Sequence, residues 1–432
     1  MWAFLKKQSP VRLIALGFAL TILLGSGLLM LPCCVRDGVT LSYIDALYTS
    51  TSAVCVTGLI AVDSYDTFTA VGQTLLAVLI QIGGLGVTAI GAGVILLVGR
   101  KMDLKSRTLV REAMNLDSGR GVARFVRDVF VTTLIIEAVG ALLSFAVFVQ
   151  DYPLPRAIGI SLFHSVAAFN NSGFDILGGG TSLIPYQDDV ALNLITAALV
   201  ILGGIGFLVI RELLTTRFRW KRFSMHTKVV LSVSGALLAG GTLLLYLTEE
   251  ITPLGAFFAS MTARTAGFST FSFGEFSSAG LLVMMVLMVI GASPGSTGGG
   301  IKTTTVFVLL KGIGASATNK SERAFHYAIP HEAFRKAAVI LMIALGLILC
   351  STFLLCIFEP EIAFEDLLFE MTSAFGTVGL STGITAGLSL PSKLISIVMM
   401  YVGRLGPLTV ASLWYFTRGE RVRFPEGNLA IG

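Results

Sequence analysis

Charge is scarce in this chain. Lys, Arg, Asp and Glu make up 13% of its 432 residues, against about 25% in an ordinary soluble domain. A polypeptide so poor in charge cannot clothe a soluble core, and apolar residues take up 54% of it instead. Histidine is scarce too: His164, His226, His326 and His331 show no metal-ligand spacing, and neither H-E-x-x-H nor G-x-S-x-G occurs. That removes the usual zinc-protease and α/β-hydrolase sites. The five cysteines (Cys33, Cys34, Cys55, Cys350 and Cys356) lack the C-x-x-C spacing of a metal or redox centre and read as small apolar residues buried in a membrane. In the glycine-rich stretch from Gly295 to Thr303, Ile301 separates the last glycine from Lys302, whereas a phosphate loop needs the lysine directly after the glycine. No nucleophile–base pair or metal constellation is left to support an enzyme.

What the chain has is apolar length. A membrane-crossing helix needs about 20 apolar residues, and runs of that kind lie at Val11–Leu31, Leu75–Val98, Phe125–Val149, Val190–Ile210, Val229–Leu247, Ala337–Phe358 and Leu394–Phe416. The first follows Lys6 and Lys7 as a secretory signal does. It is longer than a signal core and ends in Leu31-Pro32-Cys33, so it reads as a retained helix.

The net charge of +5 does not point to nucleic acid, because basic and acidic residues alternate by loop. One set of loops carries Lys6, Lys7 and Arg12; Arg100 to Arg127; Arg211 to Lys228; Lys311 to Lys336; and Arg418, Arg421 and Arg423. The intervening loops carry Asp37, Asp63 and Asp66; Asp151, Asp175, Asp188 and Asp189; Glu249, Glu250 and Glu275; and Glu359, Glu361 and Glu365. By the positive-inside rule the basic loops and both termini are cytoplasmic.

The basic loops divide the chain into four units, about 1–100, 124–214, 227–311 and 334–418. Each holds an apolar helix, a short segment too polar to span, and a second apolar helix. The short segments read Tyr48-TSTSAVCVT-Gly58, Phe163-HSVAAFNNS-Gly173, Phe257-FASMTARTA-Gly267 and Phe369-EMTSAFGTV-Gly379. An aromatic residue stands ten positions before each glycine, a small residue (Ala53, Ala168, Thr262 or Ala374) five before it, and Leu59, Phe174, Phe268 or Leu380 just after it. The second helices repeat as Ile82-GGL-Gly86, Leu202-GGI-Gly206 and Val402-GRL-Gly406, with Ile290-GAS-Pro294 in the third unit. Close helix packing in lipid accounts for glycines of this kind in the first two units.

Non-helical chain survives at membrane depth only inside protein or against water. Each short segment therefore predicts a half-helix that descends from the outer side, a glycine turn, and an extended return. Four such returns around one axis make a ring of carbonyl oxygens that replaces a cation's hydration shell, with the negative ends of the half-helices aimed at it. At this point the sequence resembles the Trk/Ktr/HKT superfamily of potassium transporters, over nearly its whole length and most specifically at VTGL, NSGF, TAGF and TVGL. The resemblance implies an all-α membrane protein of four helix–pore loop–helix repeats around one central pore. It implies a filter formed by Val56, Thr57 and Gly58; Asn171, Ser172 and Gly173; Thr265, Ala266 and Gly267; and Thr377, Val378 and Gly379. Glycine at all four places implies potassium as the ion in the pore, with a sodium-conducting or sodium-coupled member of the superfamily as the alternative.

The second helix of the third unit is interrupted by Gly291, Ala292, Ser293, Pro294, Gly295, Ser296, Thr297, Gly298, Gly299 and Gly300, followed by Ile301 and Lys302. No stable helix continues through five glycines and a proline. The apolar run before them, Leu281–Ile290, reaches only about 15 Å, so the break falls near mid-membrane, below the carbonyl ring. Arg404, inside the last apolar run, is a costly residue there; it is expected to face the pore and bond the loop. Glu137 and Glu370 also lie in apolar context, either paired or interfacial.

The chain looks like the Ktr membrane subunit, without the extra leading helix pair of the longer Trk form. That resemblance implies that the loop and Arg404 serve as the gate. It also implies a homodimer in the plasma membrane, working with a separate cytosolic nucleotide-binding regulatory ring. The regulatory nucleotide would sit on that partner, and this chain would bind no cofactor.

Overall fold

The computed structural model describes residues 8–97, 104–114 and 121–412. Lys6, Lys7, Arg100, Lys101, Arg120, Arg418, Arg421 and Arg423, and with them several of the basic clusters that fix orientation, lie outside the described residues. The described residues are all-α apart from one hairpin pairing Arg323–Ala324 with Tyr327–Ala328.

Among the described residues four helices are long and apolar enough to cross a membrane: α1 (Pro10–Leu29), α6 (Val122–Phe148), α10 (Met225–Thr248) and α14 (His331–Phe358). Each leads into a half-helix: α2 (Tyr43–Val54), reached through the longer segment 30–42, and α7 (Leu154–Phe169), α11 (Pro253–Thr262) and α15 (Phe364–Gly376), each reached through a short turn. Each then ends in a second helical segment, which begins as α3 (Ala70–Leu85), α8 (Val190–Gly204), α12 (Ser278–Val289) and α16 (Leu390–Leu405).

Caps fix many of the starts. Ser42 accepts the Asp45 N–H at α2, Thr252 that of Gly255 at α11, and Ser277 that of Gly280 at α12. Such side chains satisfy donors that a helix start otherwise leaves unmade.

The second segment of the third unit is broken as expected, and those of the other three are not the straight spans that hydropathy predicts. α3 turns into α4 (Val87–Leu97) at 97°, and α8 into α9 (Phe207–Thr216) at 101°. α16 gives way to α17 (Pro407–Ser412), and α12 resumes only as α13 (Thr303–Thr318). The residues at the first three breaks, Gly86, Gly206 and Gly406, have φ of +87°, +93° and +88°, a conformation that other residues reach only under strain. Hydropathy averages across such a residue and misses the bend.

Inside each of the first three units, the first helix, half-helix and second helix meet at a glycine. A Cβ on Gly140 would lie 2.5 Å from Ser165 Oγ and 2.6 Å from the Leu199 side chain. Gly25 meets Ser50 and Leu79, and Gly241 meets Ser260 and Leu287, in the same way. The serines donate to carbonyls of the first helix: Ser50 to Ile22 at 2.8 Å, Ser165 to Glu137 at 2.7 Å and Ser260 to Leu238 at 3.0 Å.

Between units the packing is cyclic. α3 packs on α7, α8 on α11, α12 on α15, and α16 back on α2. The last contact closes the circle through a Lys393–Asp45 ion pair at 2.8 Å and a Tyr48–Ser396 hydroxyl pair at 2.9 Å.

Candidate functional site: the central ring and the loop beneath it

The half-helices α2, α7, α11 and α15 all end beside the axis of this circle. Just past each end one residue turns left-handed: Val56 (φ +51°), Asn171 (+57°), Thr265 (+73°) and Thr377 (+51°). Two residues later the glycines do so again: Gly58 (+93°), Gly173 (+69°), Gly267 (+79°) and Gly379 (+93°). The chain thus leaves each half-helix through the same reversal. Ser52 and Ser373 hold two of the returns by accepting the N–H of Gly58 and Gly379 at 3.0 and 3.1 Å.

The four glycines lie against one another. A Cβ on Gly173 would sit 2.7 Å from the Gly267 Cα, and one on Gly379 2.8 Å from the Gly58 Cα. Carbonyls of the residues just before the glycines crowd the same positions: Thr57 beside Gly379 and Gly267, Ser172 beside Gly58, Ala266 beside Gly173, and Val378 beside Gly267. Thr57, Ser172, Ala266 and Val378 are otherwise unlike, yet all are fully buried, so each contributes backbone to the ring.

All twelve predicted filter residues meet here. A cavity of about 370 Å³ opens above the ring, lined by the four glycines together with Asp63, Ser269, Leu380 and Thr385. Its outer wall is knitted by Asp63, which accepts the Gly180 N–H at 2.7 Å, and by the Tyr65 ring, which lies between Arg36 and Arg156 at 4.4 and 4.2 Å. In the outer loop beyond the ring, burial raises the Asp175 carboxyl to about 6; the Leu177 N–H opposes the rise and Asp63 adds to it.

Directly below the ring lies the segment 291–300. Gly299 donates its N–H to Thr377 Oγ1 at 3.0 Å, and Gly298 packs against the Thr265 side chain. The loop is tied on several sides. Ser293 and Thr297 donate their N–H groups to the Gly204 and Gly203 carbonyls at 3.0 and 3.2 Å, and Phe207 donates its own to Gly295 at 3.0 Å. Lys302 Nζ donates to the Gly298 and Gly299 carbonyls at 2.8 and 3.3 Å. Arg404 donates to the Thr297 carbonyl of the loop, to Gly83, and to Gly84 at 3.1 Å. Lys302 and Arg404 also line a cavity of about 390 Å³ on the other side of the loop. Ala292, Pro294, Ser296 and Gly300 complete the segment, with Ser296 Oγ bonded to the Ser293 carbonyl at 2.6 Å.

Of the remaining residues singled out in the sequence, His164 is packed: it bonds Thr196 at 2.9 Å and lies against Phe148 and Phe268. Glu370 is buried and accepts from Thr385 at 2.6 Å, and Glu137 is buried among amides. The cysteines differ in how far the protein itself encloses them. Cys34 and Cys55 are enclosed, whereas Cys33 and Cys350 are exposed, Cys33 because it follows the end of α1 and Cys350 because it lies on the outer side of α14. Among the described residues no group of three His, Cys, Asp or Glu side chains is placed to hold a metal ion.

The family model for TrkH, a cation transport protein, matches residues 18–254 and 239–416. The chain is 38% identical to the potassium/sodium uptake protein NtpJ of Enterococcus hirae, the alignment covering 99% of this chain and 98% of that protein. It is 38% identical to the Ktr system potassium uptake protein B of Bacillus subtilis (98% and 97% covered) and 35% identical to that of Vibrio alginolyticus (99% and 96%). The crystal structure of the potassium transporter TrkH from Vibrio parahaemolyticus has the same fold, with a TM-score of 0.75 at 18% identity over 95% of this chain and 86% of that one.

Proposed function

The chain belongs to the TrkH family of cation transport proteins, and on that premise we propose that it takes up potassium ions through the central ring. The observation that carries this reading is the convergence of four equivalent backbone carbonyls, Thr57, Ser172, Ala266 and Val378, around four glycines whose Cα atoms leave no room for a side chain. Carbonyl oxygens held at such spacing substitute for water around a dehydrated cation. The half-helix ends beside them add negative potential. The chemistry is coordination, and no side chain has to titrate.

In this reading the units are four repeats of one pore, with filter strands 56–58, 171–173, 265–267 and 377–379. The segment 291–300 is the gate, because it lies under the ring and is held to its neighbours by hydrogen bonds and close packing rather than by a continuous helix. Arg404 and Lys302 set a positive barrier there and fasten the loop. The names of the relatives support potassium uptake. They also support our assignment of this chain as one subunit of a Ktr-like system; we further propose that it forms a homodimer in the plasma membrane, both termini cytoplasmic, worked by a cytosolic ring that carries the regulatory nucleotide. A second reading, sodium as a permeant or coupled ion, rests on the potassium/sodium name of the Enterococcus relative.

Cation flux into liposomes holding the purified protein tests both. Uptake that favours potassium and rubidium over sodium and lithium, and loses that preference in Gly58→Ser or Gly267→Ser, is the expected result. Uptake of sodium alone overturns the potassium assignment, and unchanged preference in both variants overturns the filter.

A further inference from the structure

Behind the second filter strand lies a polar cluster that ion coordination does not use. Asn170 stands three residues before Gly173, where the other strands have Cys55, Arg264 and Gly376. It is fully buried. Its Nδ2 donates to Gln81 Oε1 of α3 at 2.7 Å, to Glu137 Oε1 of α6 at 3.1 Å and to the Val166 carbonyl at 2.9 Å. Three acceptors share the two hydrogens of one amide, while Asn170 Oδ1 has no donor at all. Gly84 makes room for that oxygen, since a Cβ there would strike the Asn170 side chain. Among the described residues the one other bond to the Glu137 carboxyl is from Gln81 Nε2, at 3.3 Å. The Val166 carbonyl already holds the Asn170 backbone N–H at 3.1 Å, so the atom of the cluster left without a hydrogen is Asn170 Oδ1.

Glu137 lies midway along a membrane-crossing helix and is 7% exposed. No cation faces it. α3 and α8 contain no ionisable residue, and the two on α7 are engaged elsewhere: Arg156 with the Leu177 carbonyl and Tyr65, His164 with Thr196. Arg124, Arg127 and Asp128 of α6, and α5 (Leu104–Ala113) before it, belong to the opposite end of the helix. Nine residues separate Asp128 from Glu137, about 14 Å at 1.5 Å per residue. An ionised carboxylate here would rest on two neutral amides inside hydrocarbon, which is costly.

We infer that Glu137 is a positioning residue for the second filter strand and that it works as the neutral acid, its O–H supplying the hydrogen that the Gln81–Asn170 cluster lacks. The proton fixes the Asn170 amide, and Asn170 fixes the turn at Asn171 from which Ser172 and Gly173 run to the ring. The inference rests on the reading of 171–173 as a filter strand.

Two variants of the full chain in liposomes test it. Glu137→Gln keeps the shape and a donor without charge, and is expected to hold the wild-type preference for potassium over sodium to within about twofold. Glu137→Leu removes donor and acceptor and leaves the amides unmatched, so the preference falls about tenfold, the scale of one unmade buried hydrogen bond. An infrared difference spectrum, wild type minus Glu137→Gln at about pH 7, shows the carbonyl stretch of a protonated carboxyl where an ordinary glutamate is ionised. Absence of that band overturns the inference even if Glu137→Leu does not fold, and so does a Glu137→Gln preference as poor as that of Glu137→Leu. Gly173→Ser, run alongside, separates the two readings: an unchanged preference there sinks the filter strand and leaves the infrared result standing.

Discussion

The second helices of repeats 2 and 3 break at the same height and in different ways. α8 ends at Gly204 and α9 restarts at Phe207, so the turn takes two residues, with Gly206 in the left-handed region. α12 ends at Val289 and α13 restarts only at Thr303. The extra residues do not wander. Ser293 and Thr297 bond the carbonyls that the first break exposes at Gly204 and Gly203, and the Gly295 carbonyl accepts the Phe207 N–H at the start of α9. One break leaves backbone groups without helical partners, and the other supplies a strand of backbone to meet them. A short break is a hinge point; a long break beside it becomes a plug that the hinge point holds.

The comparison can be broken at several places. The largest effect is expected at the ring. Gly173→Ala combines left-handed strain with a Cβ 2.7 Å from the Gly267 Cα, together about 2–5 kcal/mol. Thermal unfolding and potassium–sodium competition should both register it.

Next comes the fastening of the plug. Arg404→Ala removes the donors to Thr297, Gly83 and Gly84 and should raise potassium flux about tenfold, since hydrogen bonds from a charged group are worth about 1.5–3 kcal/mol. A flux equal to wild type at matched expression would detach Arg404 from the gate.

The bends themselves give a finer contrast. Gly206→Ala meets the Pro294 carbonyl at 2.6 Å, whereas nothing lies within 4 Å of a Cβ on Gly86 and only the Thr409 hydroxyl, at 3.8 Å, near one on Gly406. All three should lose about 1–2 kcal/mol to left-handed strain, while only Gly206→Ala should also alter flux. Equal flux in the three variants would mean that the hinge point in repeat 2 does not hold the plug.

The smallest expected effect is at the outer mouth. The Asp175 carboxyl holds its proton to about 6 in the folded chain, against an ordinary value of 3.8. The folded state therefore binds more protons in that window. The contribution is fully present below the ordinary value and is lost as pH rises through about 6. Asp175→Asn should flatten that part of a stability–pH curve and leave potassium preference alone.

The sequence carries the ring almost completely, because each of its glycines answers a local need: left-handed backbone and no Cβ. The third strand is the exception in register. Thr57, Ser172 and Val378 each bond the carbonyl five residues back, at 2.8, 2.9 and 2.9 Å, whereas Ala266 bonds Thr262, four back, at 3.0 Å. Its half-helix is one residue shorter below the serine, so aligning the units on their aromatic residues sets Ser260 one place away from Ser50 and Ser165. The bends at Gly86, Gly206 and Gly406 were in plain view as glycines but hidden by hydropathy, which does not register φ. The circle of four units was expected, but the contact that closes it was not legible. Asp45 and Lys393 are 348 positions apart, and nothing local to either marks the other as a partner. Glu137 stood out only as a charge in an apolar run, since Gln81 and Asn170 reach it from other parts of the chain.

The loop's attachments divide between neighbours. Its ends belong to repeat 3, one side is stitched to the Gly203 and Gly204 carbonyls of repeat 2, and the other is pinned by Thr377 and Arg404 of repeat 4. Such a bolt sits in two keepers at once. A shift of repeat 2 alone leaves it caught on repeat 4, and a shift of repeat 4 alone leaves it caught on repeat 2. In the gating we propose, release needs both flanks to move together, which would make the bolt deaf to the thermal wandering of a single helix and responsive to a push that reaches both sides.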